Sequence, residues 1–166
     1  MNHITSSSYS KVKAVKYAKN YAKIPNPAFK YIPVYDDNGG DCTNFTSQCL
    51  LAGGAPMVFL DKNPWWYNNK GWSISWAVAG ALYWHLKTNG INNLYGVKAS
   101  EVSSLALLEA GDIIFYENIN GKIAHSATIT SFYYSYPLVS QHTPNMLNIP
   151  YEKEWATKMH FMRISL

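Results

Sequence analysis

The chain has 166 residues, 48% of them hydrophobic, 15% aromatic and 14% charged, with two cysteines and a formal net charge of +4. One compact domain over 1–166 is expected, with residues 1–8 reading as a mobile tail, and the apolar content excludes a disordered chain. No stretch approaches the roughly 18 uninterrupted apolar residues of a membrane-spanning helix, so no integral membrane contact is expected.

The first residues, MNHITSSSYSKVK, show neither the basic start nor the apolar run of a secretory signal. Cytoplasmic synthesis with release by another route, or origin as a fragment of a secreted protein, is the expected localisation. The cations are scattered. Lys11, Lys13, Lys16, Lys19 and Lys23 recur at spacings that decorate the solvated side of a helix, so a nucleic-acid partner is not expected.

Ser10 is a candidate N-cap, and Val12, Val15, Ala18 and Ala22 recur at helical spacing up to Ile24, before Pro25 and Pro27. A loop rich in Pro, Tyr and Asn ends in Asp36-Asp37-Asn38-Gly39-Gly40. A second helix is predicted over about 42–52, stopped by Gly53-Gly54. A tryptophan-rich block leads into a third helix, Ala77 to Lys87, ended by Asn89-Gly90, and a short fourth is predicted around Ser100 to Leu108. Beyond Gly111 the pattern turns strand-like: Asp112 to Tyr116, a hairpin signal at Asn120-Gly121, Ile123 to Ser131, Tyr133 to Ser140 and Met159 to Ile164. Helices before an antiparallel sheet predict an α+β domain.

Cys42 falls at the start of a predicted helix, where unpaired N–H groups and the helix dipole would lower a thiol pKa. Asp41 before it is a candidate helix cap or oxyanion support, and Gly39 and Gly40 would let backbone approach a substrate. Cys49 reads as a buried small hydrophobe. Seven helical residues put the two thiols roughly 10 Å apart, too far for a disulfide. No paired CxxC or HExxH pattern is present, so no metal or cofactor is expected.

A cysteine nucleophile requires a base and a group that orients the base. His3 in the tail, His85 among core residues and His160 in the last strand read as structural. His125 opens a predicted strand after the hairpin, and His142 ends the next, so a hairpin register could bring the two together. Asp112 reads as a turn residue ahead of its strand rather than an acid. Trp76 reads as core, whereas Trp65, Trp66 and Trp72 read equally as core or as a substrate-binding surface for sugar rings.

The run Asp41-Cys42-Thr43-Asn44-Phe45-Thr46-Ser47-Gln48-Cys49-Leu50 with Ala52-Gly53-Gly54 resembles the signature of a bacterial amidase domain family within the papain-like NlpC and CHAP group. Ser75-Trp76, Gly111-Asp112-Ile113-Ile114-Phe115, His125-Ser126 and Gln141-His142-Thr143 follow in family order, over about residues 9 to 145. The resemblance implies a papain-like fold, with Cys42 as nucleophile and His125 as general base. It gives His142 as third catalytic member by analogy with NlpC-type enzymes, or Asn145 by analogy with CHAP-type ones. Relatives often carry Asp where this chain has Ala124, so that position is assigned no role. The implied activity is cysteine-dependent hydrolysis of an amide of bacterial peptidoglycan by a phage lysin or wall-remodelling enzyme, favoured as a monomer. An intracellular toxin or deamidase on the same fold, and a wall-binding module without catalysis, are the alternatives.

Overall fold

The computed structural model describes residues 8–34, 40–60 and 62–166. The expected tail, apart from Ser8, lies outside them, as do His3 and Asp36 to Gly39.

In chain order the elements are α1 (Lys11–Tyr21), α2 (Cys42–Ala52), β1 (Tyr67–Asn68), β2 (Gly71–Trp72), α3 (Ile74–Ala77), α4 (Ala79–Asn92), β3 (Lys98–Val102), a 3-10 turn (Leu105–Leu107), β4 (Ile113–Glu117), β5 (Ile123–Tyr133), β6 (Tyr136–Gln141), β7 (Met146–Pro150) and β8 (Lys158–Ser165). Strands β3 to β8 form one antiparallel sheet in the order β3-β8-β4-β5-β6-β7. The architecture is therefore α+β, as the sequence predicts.

Strand alternation gives the sheet two apolar faces. From β4, Ile113 and Phe115 join Leu50, Trp65, Trp76, Leu82 and Leu86 on the helical side. Ile114 and Tyr116 join Leu108, Ile129, Val139 and Tyr151 on the other. A third cluster of Ala18, Ala22, Phe45 and Cys49 fastens α1 to α2.

Ser10 caps α1, its Oγ accepting from the Lys13 N–H at 3.2 Å. That helix ends at Tyr21, short of Ile24, which is exposed. Lys13, Lys16, Lys19 and Lys23 are exposed as expected, but Lys11 is not part of that solvated set. Its ammonium pairs with Glu109 at 2.7 Å and with the buried Asp112 at 2.8 Å. Asp112 also accepts from the Glu109 and Ile164 N–H groups, each at 2.9 Å, which ties the turn before β4 to β8.

Three expectations need correction. The segment 100–108 is not a helix; its first residues belong to β3, which pairs with β8, and only the 3-10 turn follows. Asn89-Gly90 does not stop α4, which continues until Asn93 adopts a left-handed conformation at φ 48°. The pair is where α4 comes closest to β3. Asn89 donates to Val97 O at 2.8 Å, and a Cβ on Gly90 would stand 2.2 Å from Ala99 O. Trp65, finally, is fully buried, with Nε1 donating to Ser47 Oγ at 3.1 Å, so it belongs to the core and not to a substrate surface. Trp76 is fully buried as expected.

Trp65→Ala should therefore lower the unfolding free energy by about 3–5 kcal/mol in urea titration. Trp72→Ala, at a partly exposed site, should cost less than about 1 kcal/mol. Equal losses in the two variants would contradict this assignment of core and surface.

Candidate active site

Helix α2 is buried from Cys42 through Leu50, although five of those residues are Thr, Asn, Ser or Gln. Each polar side chain finds a partner, as burial demands. Thr43 and Thr46 bond to Ser126 on β5 at 3.1 and 2.9 Å. Asn44 accepts from Trp76 Nε1 at 2.7 Å, Ser47 donates to Trp76 O at 2.8 Å, and Gln48 accepts from Tyr17 OH at 2.7 Å. These contacts seat the first turn of α2, and Cys42 with it, against β5.

Asp41 occupies the N-cap position, but its carboxylate makes no cap hydrogen bond to the helix backbone. Oδ1 accepts from the Ile32 N–H at 2.7 Å and from Asn44 Nδ2 at 2.8 Å, and Oδ2 bonds to His142 Nδ1. Its carboxylate ties loop, helix and sheet together and does not cap the helix, contrary to the expectation from its position. A Cβ on Gly40 beside it would lie 2.7 Å from Thr143 Oγ1, and Gly40 lines the depression that contains Cys42. Gly39 lies outside the described residues.

Both cysteines are free and buried. Cys42 Sγ lies 3.6 Å from Thr43 Oγ1 and within hydrogen-bonding range of the Ser126 backbone amide, immediately after His125. Burial pushes this thiol above its ordinary pKa, outweighing those hydrogen bonds, and the neighbouring Asp41 carboxylate acts in the same upward direction. The expectation that the helix start would depress it is thus overturned. Cys49 is pushed up to about 12 by burial.

His125 is buried, and its Nε2 lies 3.0 Å from Gln141 Oε1. The amide orientation follows from its other contacts: Gln141 Nε2 donates to Pro144 O at 3.2 Å, and Oε1 also receives Lys153 Nζ. Oε1 can only accept, so His125 Nε2 carries the hydrogen and Nδ1 is left with a lone pair. Burial, helped by the Lys153 charge, brings the His125 pKa down to about 4. At neutral pH the site holds a thiol and a neutral imidazole.

The structure does not pair His142 with His125. Strand β6 ends at Gln141, and His142 lies in the turn that follows. His142 turns away, fully buried, stacks on Phe45 with centroids 4.0 Å apart, and bonds to Asp41 and to Tyr21 O at 2.8 Å. Asn145 Oδ1 accepts at 3.4 Å from Tyr31 OH and from the Thr143 N–H, with no contact to His125. Gln141 is the partner that sequence reasoning missed.

Cys42 and His125 each line a depression. One, about 430 Å³, is lined by Cys42, Ile32, Trp72, Val78 and Lys122. Trp72 stacks on Tyr67 with centroids 5.9 Å apart and carries Lys30 Nζ 5.6 Å from its ring. Trp66 stacks instead on Phe59 and lines neither depression. The other, about 320 Å³, is lined by His125, Gln141, Lys153 and Trp155 among others. Among the described residues no group of three or more His, Cys, Asp or Glu could hold a metal ion, and no helix is long and apolar enough to cross a membrane.

The family model described as a putative amidase domain matches residues 8–165. Two proteins of Bacillus subtilis strain 168, both described as uncharacterized, are similar: YhbB, 36% identical over 126 residues (74% of this chain, 37% of that protein), and YjcM, 34% identical over 153 residues (87% and 33%). The chain thus spans about a third of the length of these relatives. No solved structure matches it significantly.

Alkylation of Cys42 by iodoacetamide, followed by peptide mapping so that Cys49 is counted separately, should keep rising with pH past neutrality, with a midpoint above the ordinary 9.0. A plateau by pH 7 would mean a stabilised thiolate. Acid should also destabilise the fold. His85, lowered to about 4 by burial, and His125 take up protons more readily when unfolded, so their contribution is complete above 6.5 and lost as pH falls through 4. The urea midpoint should fall over that window, and less steeply in a His85→Gln variant.

Proposed function

Because the chain belongs to the putative amidase domain family, we propose that it is a cysteine amide hydrolase of papain-like type, cutting bacterial peptidoglycan at the muramoyl-L-alanine amide or within the stem peptide. The observation that carries this reading is the seat of Cys42 at the first turn of α2, against the amide that follows His125, with Gln141 Oε1 bonded to Nε2 of that imidazole. A nucleophile, a base and an orienting group are supplied by three different elements.

In the proposed reaction His125 Nδ1 takes the Cys42 proton as Sγ attacks the amide carbonyl. The new S–C bond drives the carbonyl electrons onto oxygen. The Cys42 N–H, at a helix position without an intrahelical acceptor, is one donor to that oxyanion. As the tetrahedral species collapses, the C–N bond breaks and the imidazolium returns its proton to the leaving amine. Water, deprotonated by His125, then cleaves the thioester. Gln141, rather than His142 or Asn145, fixes the tautomer that leaves Nδ1 basic. A base with a pKa of about 4 is already deprotonated at neutral pH, and a thiol above 9.0 is not, so proton transfer accompanies attack instead of preceding it.

The wall substrate is supported by the stacked Trp72 and Tyr67 platform with Lys30 beside the nucleophile's depression, a surface suited to a sugar face or a peptide. Action at the bacterial cell wall, without cofactor and as a monomer, belongs to the same proposal.

Mass spectrometry of the soluble products from purified sacculi should show stem peptides released by the protein and not by Cys42→Ala. Gln141→Ala should lower kcat of the folded protein about 10- to 100-fold besides costing about 1–3 kcal/mol of stability, whereas His142→Ala should act on stability with kcat of the folded protein little changed. No release from several wall chemistries, with Cys42 still alkylated, would remove the wall reading and favour a deamidase.

A further inference from the structure

The depression beyond His125 contains a cation that the reaction scheme does not use. Lys153 lies in the crossing segment between β7 and β8, where the buried Tyr151 anchors the chain to the sheet. This lysine is half-buried, unlike a solvated surface lysine. Its Nζ donates to Gln141 Oε1 and stands 4.9 Å from the centroid of the Tyr116 ring.

Among the described residues no carboxylate forms an ion pair with it, in contrast to Lys11 and Lys87, which are each bonded to acids. Glu154 lines the same depression but is exposed at its rim. One amide oxygen and one ring face incompletely replace the water that burial removes from an ammonium, and burial accordingly lowers its pKa. Two N–H donors remain for a ligand.

The ammonium also belongs electrostatically to the reacting pair. It disfavours the protonated form of His125, and a negative charge formed on Cys42 would favour it in turn. Thr143, Met146 and Trp155 complete a lining in which polar side chains stand beside apolar ones. A negative group of the substrate would there meet a positive charge without a carboxylate partner among the described residues.

We propose that Lys153 is a specificity residue: its ammonium, in the depression beyond His125, takes a free carboxylate carried by the substrate next to the amide that is cut. This rests on the reading of Cys42 and His125 as the reacting pair, and narrows the substrate class to acidic peptides. Stem peptides with a free carboxylate fit; those with that carboxylate converted to carboxamide do not.

The test uses the full chain with Cys42→Ala, which binds without turnover, and calorimetric titration with N-acetyl-L-alanyl-D-glutamate against its fully amidated form. The acid should bind at least about tenfold more tightly, the range of a partly desolvated charge pair. Adding Lys153→Met should bring the ratio close to one, and Lys153→Arg should keep most of it. Equal binding of the two peptides, binding of neither, or a ratio unchanged by Lys153→Met would overturn the carboxylate subsite. Sacculus digestion by the chain with Cys42 intact separates the two proposals. Hydrolysis without acid preference removes only the subsite, whereas acid preference without hydrolysis removes only the hydrolase.

Discussion

The structure depends on one constraint: α2 is buried from Cys42 through Leu50, and more than half of that stretch is polar. An unsatisfied buried polar group costs about 1–3 kcal/mol, so Thr43, Asn44, Thr46, Ser47 and Gln48 cannot be left without partners. Their partners come from α1, α3 and β5, and Asp41 adds the loop at Ile32 and the end of β6. Satisfying the helix fixes the relative placement of every element that surrounds the thiol. Fold specificity and site geometry here are one requirement.

The same burial sets the electrostatics. A helix N-terminus favours an anion by typically 0.3–1 kcal/mol, reaching about 2 in favourable geometry, whereas desolvating a charge costs several kcal/mol. At Cys42 the second effect wins. His125 is displaced in the direction expected of a buried base, by the same cause. The resting site is a pair of neutral groups, and charge separation is deferred until a substrate supplies the carbonyl.

Much of this was legible because the signals were local. The end of α2 follows from Gly53-Gly54, and the β4–β5 hairpin from Asn120-Gly121, whose glycine has φ 73°. What was not legible depended on distant partners. Gly90 looks like a helix stop until Ala99 is seen against it, and Lys98 to Val102 becomes a strand because β8 lies alongside. Trp65 has the same composition signal as Trp72, and only its hydrogen bond to Ser47 and its enclosure distinguish them. Gln141 was one residue from the expected histidine. Which of the neighbours meets His125 depends on the register between β5 and β6, including its bulge, and on the strand ending at Gln141, with His142 in the turn beyond.

The place of β8 in the sheet bears on how the chain acquires this structure. It is inserted between β3 and β4, so both keep open edges until residues 158–165 have emerged from the ribosome. Helices α1, α2 and α4 can form earlier from local signals, yet the surface they pack on is incomplete. Pairings across such sequence separations close slowly, because loop entropy is lost before contacts form. Synthesis thus runs ahead of assembly, and the nascent chain exposes two unpaired strand edges that invite association with other chains.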